Sequence, residues 1–264
     1  MTSIDITNKT EEIQALLDSV DTFLFDCDGV IWHGDYPIQN VCNVLTQLRA
    51  MGKRILFVSN NSTKSRRQYL TKFNQLNIEA YVCIRCSLLH QEYSSIPRRK
   101  KVYVVGMSGI QEELDSEGIN HIGASADNDN LKSMSEMSSI KTNPEVGAVL
   151  FGFDLDLNYK KLAKAFTCHL STGALLASLS APLGRRPVVI GKPEPTMMEV
   201  IVNKFHLNRE RTCMVGDRLD TDILFGQQGG LKTLLVLTGV TPSEGLEKQE
   251  IQADYVIDSL GSLL

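Results

Sequence analysis

Apolar residues in this chain come in two spacings, and the two alternate. Short apolar runs at Thr22 to Phe25, Arg54 to Val58, Lys101 to Val105, Val146 to Phe153, Thr212 to Val215, Thr233 to Leu237 and Tyr255 to Ile257 predict strands. Their near-continuous hydrophobicity suits strands buried on both faces. Ile119 to Ile122 and Val188 to Ile190 read as two shorter ones. Between the runs, apolar positions three or four apart predict amphipathic helices. Thr10 caps the first, which carries Ile13, Leu16, Leu17 and Val20; Gly52 ends the second, which carries Val41, Val44, Leu45 and Leu48. Tyr69, Phe73 and Leu76 mark a third helix, Ser108 to Glu117 forms another, and Leu162, Ala163, Phe166 and Leu170 stripe the next. Thr172 to Ser180 and the stripe Met198, Ile201, Val202 and Phe205 complete the set. Strands alternating with helices in the first and last thirds predict an α/β fold around a doubly wound, Rossmann-like parallel sheet. Gly123 to Glu145 is polar and rich in Ser, Asn and Asp, so it is expected to be a long surface loop. Tyr81 to Ser95 shows no clear period.

Composition narrows the partners. With 264 residues, 42% hydrophobic and 22% charged, the chain can bury a sizeable core. A net charge of -4 gives no electrostatic reason to expect nucleic acid or an anionic membrane as a partner, and Arg98-Arg99-Lys100-Lys101 reads as a solvated loop. No apolar stretch approaches the roughly 18 residues that span a bilayer, and Met1 to Glu12 holds no apolar signal core, which points to a cytoplasmic protein. The six cysteines, among them Cys42, Cys168 and Cys213 inside apolar runs, suit reduced thiols. Cys83 and Cys86 have metal-site spacing with His90 nearby, but no second ligand pair follows.

The chemistry concentrates where strands stop. Phe23-Leu24-Phe25 runs directly into Asp26-Cys27-Asp28-Gly29, and period-two geometry sends Asp26 and Asp28 to the same side. Taken alone this is as readily an acidic turn as a site. The next strand ends in Ser59-Asn60-Asn61-Ser62-Thr63 before a helix, a cradle for an anion or an ordinary capping loop. Lys192 follows Gly191, and Thr212 to Val215 ends in Gly216-Asp217-Arg218-Leu219-Asp220-Thr221-Asp222. Singly, Lys192 is a surface lysine and Asp220 a helix cap. In one parallel sheet these strand ends converge on one edge and supply a nucleophile, an anion cradle, a cation and a metal seat. Carboxylates without His or Cys suit a hard cation such as Mg²⁺. The set describes phosphoryl transfer, with Asp26 attacking phosphorus and Asp28 as general acid and base.

Asp26-x-Asp28-Gly29-Val30, the strand ending at Ser59, Gly191-Lys192-Pro193 and Gly216-Asp217-x-x-x-x-Asp222 resemble the four motifs of the haloacid dehalogenase superfamily. The longer stretches Phe25 to Trp32, Val58 to Arg66 and Val215 to Ile223 are similar to the 4-nitrophenylphosphatase and phosphoglycolate phosphatase family, which includes pyridoxal phosphatases. The resemblance implies a Mg²⁺-dependent phosphomonoesterase acting on a small phosphorylated metabolite through an aspartyl-phosphate, and leaves room for a homodimer. It makes Asp26 the nucleophile, Asp28 the acid and base, and Ser59 and Lys192 phosphate ligands, beside the cradle residues Asn60 and Asn61. Asp217 becomes a metal ligand with Asp26 and the Asp28 backbone carbonyl, and Asp222 a supporting residue. It further implies a hydrolase core of residues 1–80 and 171–264 and an inserted α/β cap of residues 81–170. The chain departs from the family where His169-Leu170-Ser171-Thr172-Gly173 runs directly from one helix to the next, without the usual cap strand and loop. The cap is therefore expected to be incomplete, by about 25 to 30 residues on typical strand and loop lengths. Alternative readings are a catalytically impaired truncated or mis-spliced member, and behind it a phosphotransferase, a phosphoprotein phosphatase or a receiver-like switch.

Overall fold

A computed structural model describes residues 3–80, 100–167 and 189–264. Among these, the strands in chain order are β1 (Ile4–Asp5), β2 (Thr22–Phe25), β3 (Trp32–His33), β4 (Tyr36–Pro37), β5 (Arg54–Phe57), β6 (Lys101–Val105), β7 (His121–Gly123), β8 (Val146–Phe151), β9 (Thr212–Gly216), β10 (Lys232–Val236) and β11 (Tyr255–Ile257). The chain divides into two compact units. One comprises Met1–Asn60, Leu70–Arg85 and Gly191–Leu264, the other Asn61–Tyr69 and Cys86–Ile190.

The first unit is built on a six-stranded sheet of order β1-β11-β10-β9-β2-β5, parallel throughout. Every residue of β2 and β9 is buried, which is why these strands read as continuous apolar runs rather than alternating ones. From β2 the chain steps to β5 on one side and later returns to β9 on the other, with Phe25 in register with both Phe57 and Val215. That reversal of winding opens a crevice beyond the carboxyl end of β2, the place where open α/β sheets bind ligands. Ile13, Leu16 and Leu17 of helix Thr10–Ser19 are buried, as are Val41, Val44, Leu45 and Leu48 of helix Val41–Ala50, the faces that spacing predicted. Phe73, fully buried, packs on Phe57 at 4.4 Å and edge-on to Trp32 at 4.8 Å between ring centroids.

The second unit holds a three-stranded parallel sheet of order β7-β6-β8. Alternation along β6 serves two faces: Val102 and Val104 pack with Ile110 and Leu114 of helix Ser108–Ser116, while Tyr103 and Val105 pack with Leu162 and Ala165 of helix Tyr159–Thr167. Residues 61–69, which the resemblance assigns to the hydrolase core, pack within this unit. Ser65 donates to Glu112 at 2.6 Å, Arg66 pairs with Glu113 at 2.9 Å, and the Phe153 backbone N–H donates to Ser62 Oγ at 2.9 Å.

Several expectations need correction. Of the expected strand Val188 to Ile190, Val188 lies outside the described residues and Val189 and Ile190 are in no strand; Ile190 packs on the apolar cluster of the second unit. The expected loop from Gly123 to Glu145 contains helix Met134–Ser139. Its start is a Ser-x-x-Glu box legible in the sequence: Ser133 Oγ accepts from the Glu136 N–H at 3.2 Å, and Glu136 accepts from the Lys132 N–H at 2.7 Å. Thr10 is the first helical residue rather than its cap, which is Lys9. Strand β1, only two residues long, carries too little periodicity to be predicted. Cys83, Cys86 and His90, the segment Tyr81 to Ser95, the helix Thr172 to Ser180 and the Leu170–Ser171 junction lie outside the described residues, as does Cys168.

Phe73→Ala removes the ring shared by Phe57 and Trp32 and is expected to cost about 3–5 kcal/mol, measured by urea denaturation of the full chain. A loss under about 1 kcal/mol would mean that this aromatic cluster does not hold the sheet to its helix.

Candidate active site

The crevice residues come from three adjacent strand ends. Asp26 is the first residue past β2, Ser59 lies two past β5, and Asp217 is the first past β9. After Asp217 the chain makes a π-helical turn, Leu219–Ile223, in which the N–H groups of both Asp222 and Ile223 donate to the Arg218 carbonyl at 3.1 Å. This widened turn, a form that recurs at functional sites, carries Asp222. Asp26, Asp217 and Asp222 each present one carboxylate oxygen, all within 4.8 Å of one another, and all three residues are buried.

Lys192 reaches into this group. Its Nζ donates to Asp26 Oδ1 at 2.6 Å and to the Val58 carbonyl at 2.9 Å, and it ion-pairs with Asp222 Oδ1 at 2.6 Å. That Asp222 oxygen is buried and receives no properly aligned hydrogen bond, from Lys192 or from any other described residue. Burial pulls the Lys192 ammonium down, but Asp222 and Asp26 outweigh it and hold the group above its ordinary range. Burial pushes the Asp26 carboxyl up against the pull of Lys192, and the like charges of Asp222 and Asp217 add to the rise, leaving it at about 7. Asp217 is also raised, first by burial and then by Asp222, although the Val240 N–H donates to it and opposes the shift. Three buried carboxylates facing one ammonium lack positive charge, and an all-oxygen donor set fits a hard divalent cation.

Two glycines make the approach feasible. Gly29 has φ +82, and a Cβ there would sit 2.7 Å from Asp217 Oδ2; at Gly239 it would sit 1.9 Å from the same oxygen. The loop around Gly239 was not anticipated from sequence. The Val240 N–H donates to Asp217 Oδ2 at 2.7 Å, the Thr241 N–H to the Asp217 carbonyl at 3.1 Å, and Thr238 Oγ1 to the Gly29 carbonyl at 2.6 Å. Its signal was slight: a small-residue run just past an apolar strand.

The remaining predicted residues take different places. Asp28 is half-buried and outside the carboxylate trio; its Oδ1 accepts from the Trp32 indole N–H at 2.9 Å. Asn60 turns its amide onto the Lys192 backbone, accepting from the N–H at 2.9 Å and donating to the carbonyl at 2.8 Å. Its side chain thus orients Lys192 instead of offering itself to an anion. Asn61 belongs to the second unit, where its Oδ1 accepts from the Thr63 N–H and hydroxyl in a local turn. Ser59 is buried. Asp220 is exposed and pairs with Arg218 at 2.8 Å.

Residues 23–120 match the family described as haloacid dehalogenase-like hydrolase, and residues 189–263 the one described as HAD-hydrolase-like. Phosphoglycolate phosphatase 1A of Arabidopsis thaliana, a chloroplastic protein, is 39% identical over a match covering 98% of this chain and 80% of that protein. The chain belongs to the haloacid dehalogenase-like hydrolases. Within them, it superposes on the 4-nitrophenylphosphatase of Thermotoga maritima with a TM-score of 0.74, at 27% identity over 94% of this chain and 97% of that one. A glycerol phosphate phosphatase of Mycobacterium tuberculosis, solved in complex with magnesium, shares the fold with a TM-score of 0.74 at 24% identity, over 94% and 78% of the two chains. The hydrolase is a phosphoric monoester hydrolase. Its match to the Arabidopsis protein runs over 290 positions against 264 residues in the chain, so at least 26 positions of that relative have no counterpart here.

Without a divalent cation, the Asp26 carboxyl holds its proton more tightly folded, at about 7, than at its ordinary 3.8. This linkage stabilises the fold below pH 3.8 and is lost as pH rises through 7. The melting temperature of cation-free protein is expected to fall between about pH 4 and 7. Added divalent cation should raise it most at the upper end, where it replaces the lost proton. An increment equal or larger at the lower end would contradict a cation seat at this cluster.

Proposed function

We propose that this hydrolase releases phosphate from small phosphorylated metabolites through an aspartyl-phosphate on Asp26, with Mg²⁺ as its cation. The pairing of Asp26 with Lys192 inside a buried trio of carboxylates carries the reading. Asp26, Asp217 and Asp222 would hold the cation, which supplies the positive charge that keeps the carboxylates ionised beside a dianionic ester.

The chain's own groups account for the bond changes. An Asp26 carboxylate oxygen attacks phosphorus; the ester P–O bond breaks, and the departing alkoxide takes a proton from Asp28. Asp28 then removes a proton from water as the water oxygen attacks the acyl phosphate, which frees inorganic phosphate and restores Asp26. The Lys192 ammonium, held by Asn60 through its backbone, balances charge on the reacting group throughout. Burial keeps these dipoles and charges in a low-dielectric setting where each counts for more than in water. The general acid two residues after the nucleophile favours turnover over a stable phosphorylated switch.

The names of the relatives support the substrate class. The Arabidopsis protein is a phosphoglycolate phosphatase, the Mycobacterium protein a glycerol phosphate phosphatase, and the Thermotoga protein a 4-nitrophenylphosphatase. The reading is tested with a hydrolysis panel of 2-phosphoglycolate, glycerol 3-phosphate, pyridoxal phosphate and 4-nitrophenyl phosphate. Asp26→Asn is expected to lower kcat by at least about a thousandfold while ester binding survives, and chelator is expected to stop the parent enzyme. Residual activity within about tenfold of the parent, worth only about 1.4 kcal/mol of barrier, would show that another group attacks phosphorus.

The 26-position shortfall against the Arabidopsis relative favours a second reading, in which this chain is a catalytically impaired member of its family. The core site is present, so chemistry and selectivity should separate. On this reading 4-nitrophenyl phosphate is cleaved weakly and the natural esters have kcat/KM values within about tenfold of one another. A preference beyond about a hundredfold for one natural ester would reject it.

A further inference from the structure

We propose that Trp32 is the positioning residue for Asp28, an inference that rests on the phosphatase reading above. Trp32 is the single tryptophan of the chain and is fully buried, so its indole N–H needs an acceptor inside the protein. The acceptor is Asp28 Oδ1 at 2.9 Å, four residues back. Donation to a carboxylate is charge-assisted and about twice as strong as a bond between neutral groups.

Both ends of this contact are fixed. The backbone between them is wound tightly: the Gly29 N–H donates to the Trp32 carbonyl at 2.9 Å, the Trp32 N–H to the Cys27 carbonyl at 3.3 Å, and Asp28 and Trp32 form a β-bridge. The ring is gripped from two sides. Phe73 meets it edge-on at 4.8 Å, and the Lys72 ammonium sits 4.0 Å from its centroid. Lys72 is itself buried and donates to the Gly34 carbonyl at 2.5 Å, in the turn that joins β3 to β4. The indole is thus a rigid arm whose direction is set by the hairpin and the helix Arg66–Gln75, and it ends on one oxygen of Asp28.

The chemical consequence concerns which oxygen moves the proton. The carbonyl oxygen of a protonated carboxyl accepts a hydrogen bond better than its hydroxyl oxygen does. An indole donor on Oδ1 therefore places the acid proton on Oδ2 and fixes that O–H in orientation. Asp28 gives this proton to the leaving alkoxide and recovers one from water, so misorientation should matter in proportion to how much the leaving group needs it. A 4-nitrophenolate departs without a proton; a glycerol alkoxide does not.

Because Trp32 is the only tryptophan, growth of a tryptophan auxotroph on benzothienylalanine changes this position alone, deleting the N–H and keeping the ring. With Mg²⁺ present, kcat/KM for glycerol 3-phosphate is expected to fall about a hundredfold, and for 4-nitrophenyl phosphate only about threefold. Trp32→Phe should show the same ordering, and its melting curve separates lost folding from lost positioning. Emission from Trp32 gives a reading without turnover: Asp28→Asn replaces the carboxylate acceptor and should shift the emission maximum of the otherwise native chain. Equal losses on both esters, no loss on either, or an emission unchanged by Asp28→Asn would overturn the assignment. A parent enzyme inactive on both esters would refute the phosphatase reading itself, and this proposal with it.

Discussion

The first unit depends on one buried ammonium. Lys192 Nζ touches Asp26 past the end of β2, the Val58 carbonyl past the end of β5, and Asp222 on the turn after β9. These three strands are neighbours in the sheet, so a single cation ties their carboxyl ends together at the winding reversal. Removing one member of such a buried group typically costs about 3–5 kcal/mol, because it leaves the others uncompensated. The same arrangement serves chemistry. A carboxylate raised by burial, held beside an ammonium and pressed by two further carboxylates is poised between protonated and ionised forms, and a bound divalent cation would tip the balance to the ionised one.

Close packing of backbone makes this concentration of charge feasible. Asp217 is wrapped by Gly29 on one side and by Gly239 to Thr241 on the other, at distances that leave no room for a Cβ at either glycine. Its Oδ2 accepts from the Val240 N–H and its main-chain carbonyl from the Thr241 N–H, donors that cost no side-chain entropy and cannot titrate. Asn60 plays a comparable part for Lys192. Its amide reads both the N–H and the carbonyl of one residue, and so sets the direction of the ammonium without touching it. The site is a set of charges aimed by neutral groups.

The second unit shows the same principle applied to stability. Asp127 is buried, which raises its carboxyl, yet Lys164 at 2.5 Å and Tyr103 at 2.9 Å hold it below its ordinary value. Lys161 and Asp154 form a nearly inaccessible pair at 2.7 Å. Such groups interrupt the apolar pattern on which strand and helix prediction rests, and they look like surface residues until their partners are seen.

What the sequence determined by itself was the period of each element and the residue type at each strand end. β2 and β11 were legible to the residue because their buried positions, Phe23 to Phe25 and Val256 to Ile257, make short unbroken apolar runs. Asp26, Lys192 and Asp217 could be picked out as candidates because each follows an apolar run or a glycine with an abrupt polar change, and Asp222 because it closes the acidic cluster after β9; parallel strands bring such ends to one edge. Only the tertiary structure decided which of these groups touch. It placed the Asp222 carboxylate with Asp26 and Asp217, turned Asp28 to Trp32, engaged the Asn60 amide with a backbone and assigned Asn61 to the other unit. It also made a strand of Ile4–Asp5 and none of Val189 and Ile190. The physical reason is common to all of these. Periodicity is local and records which face a residue shows, whereas a hydrogen bond or an ion pair is fixed by approach in three dimensions, whether the partner is four residues away, as Trp32 is from Asp28, or 166, as Lys192 is from Asp26.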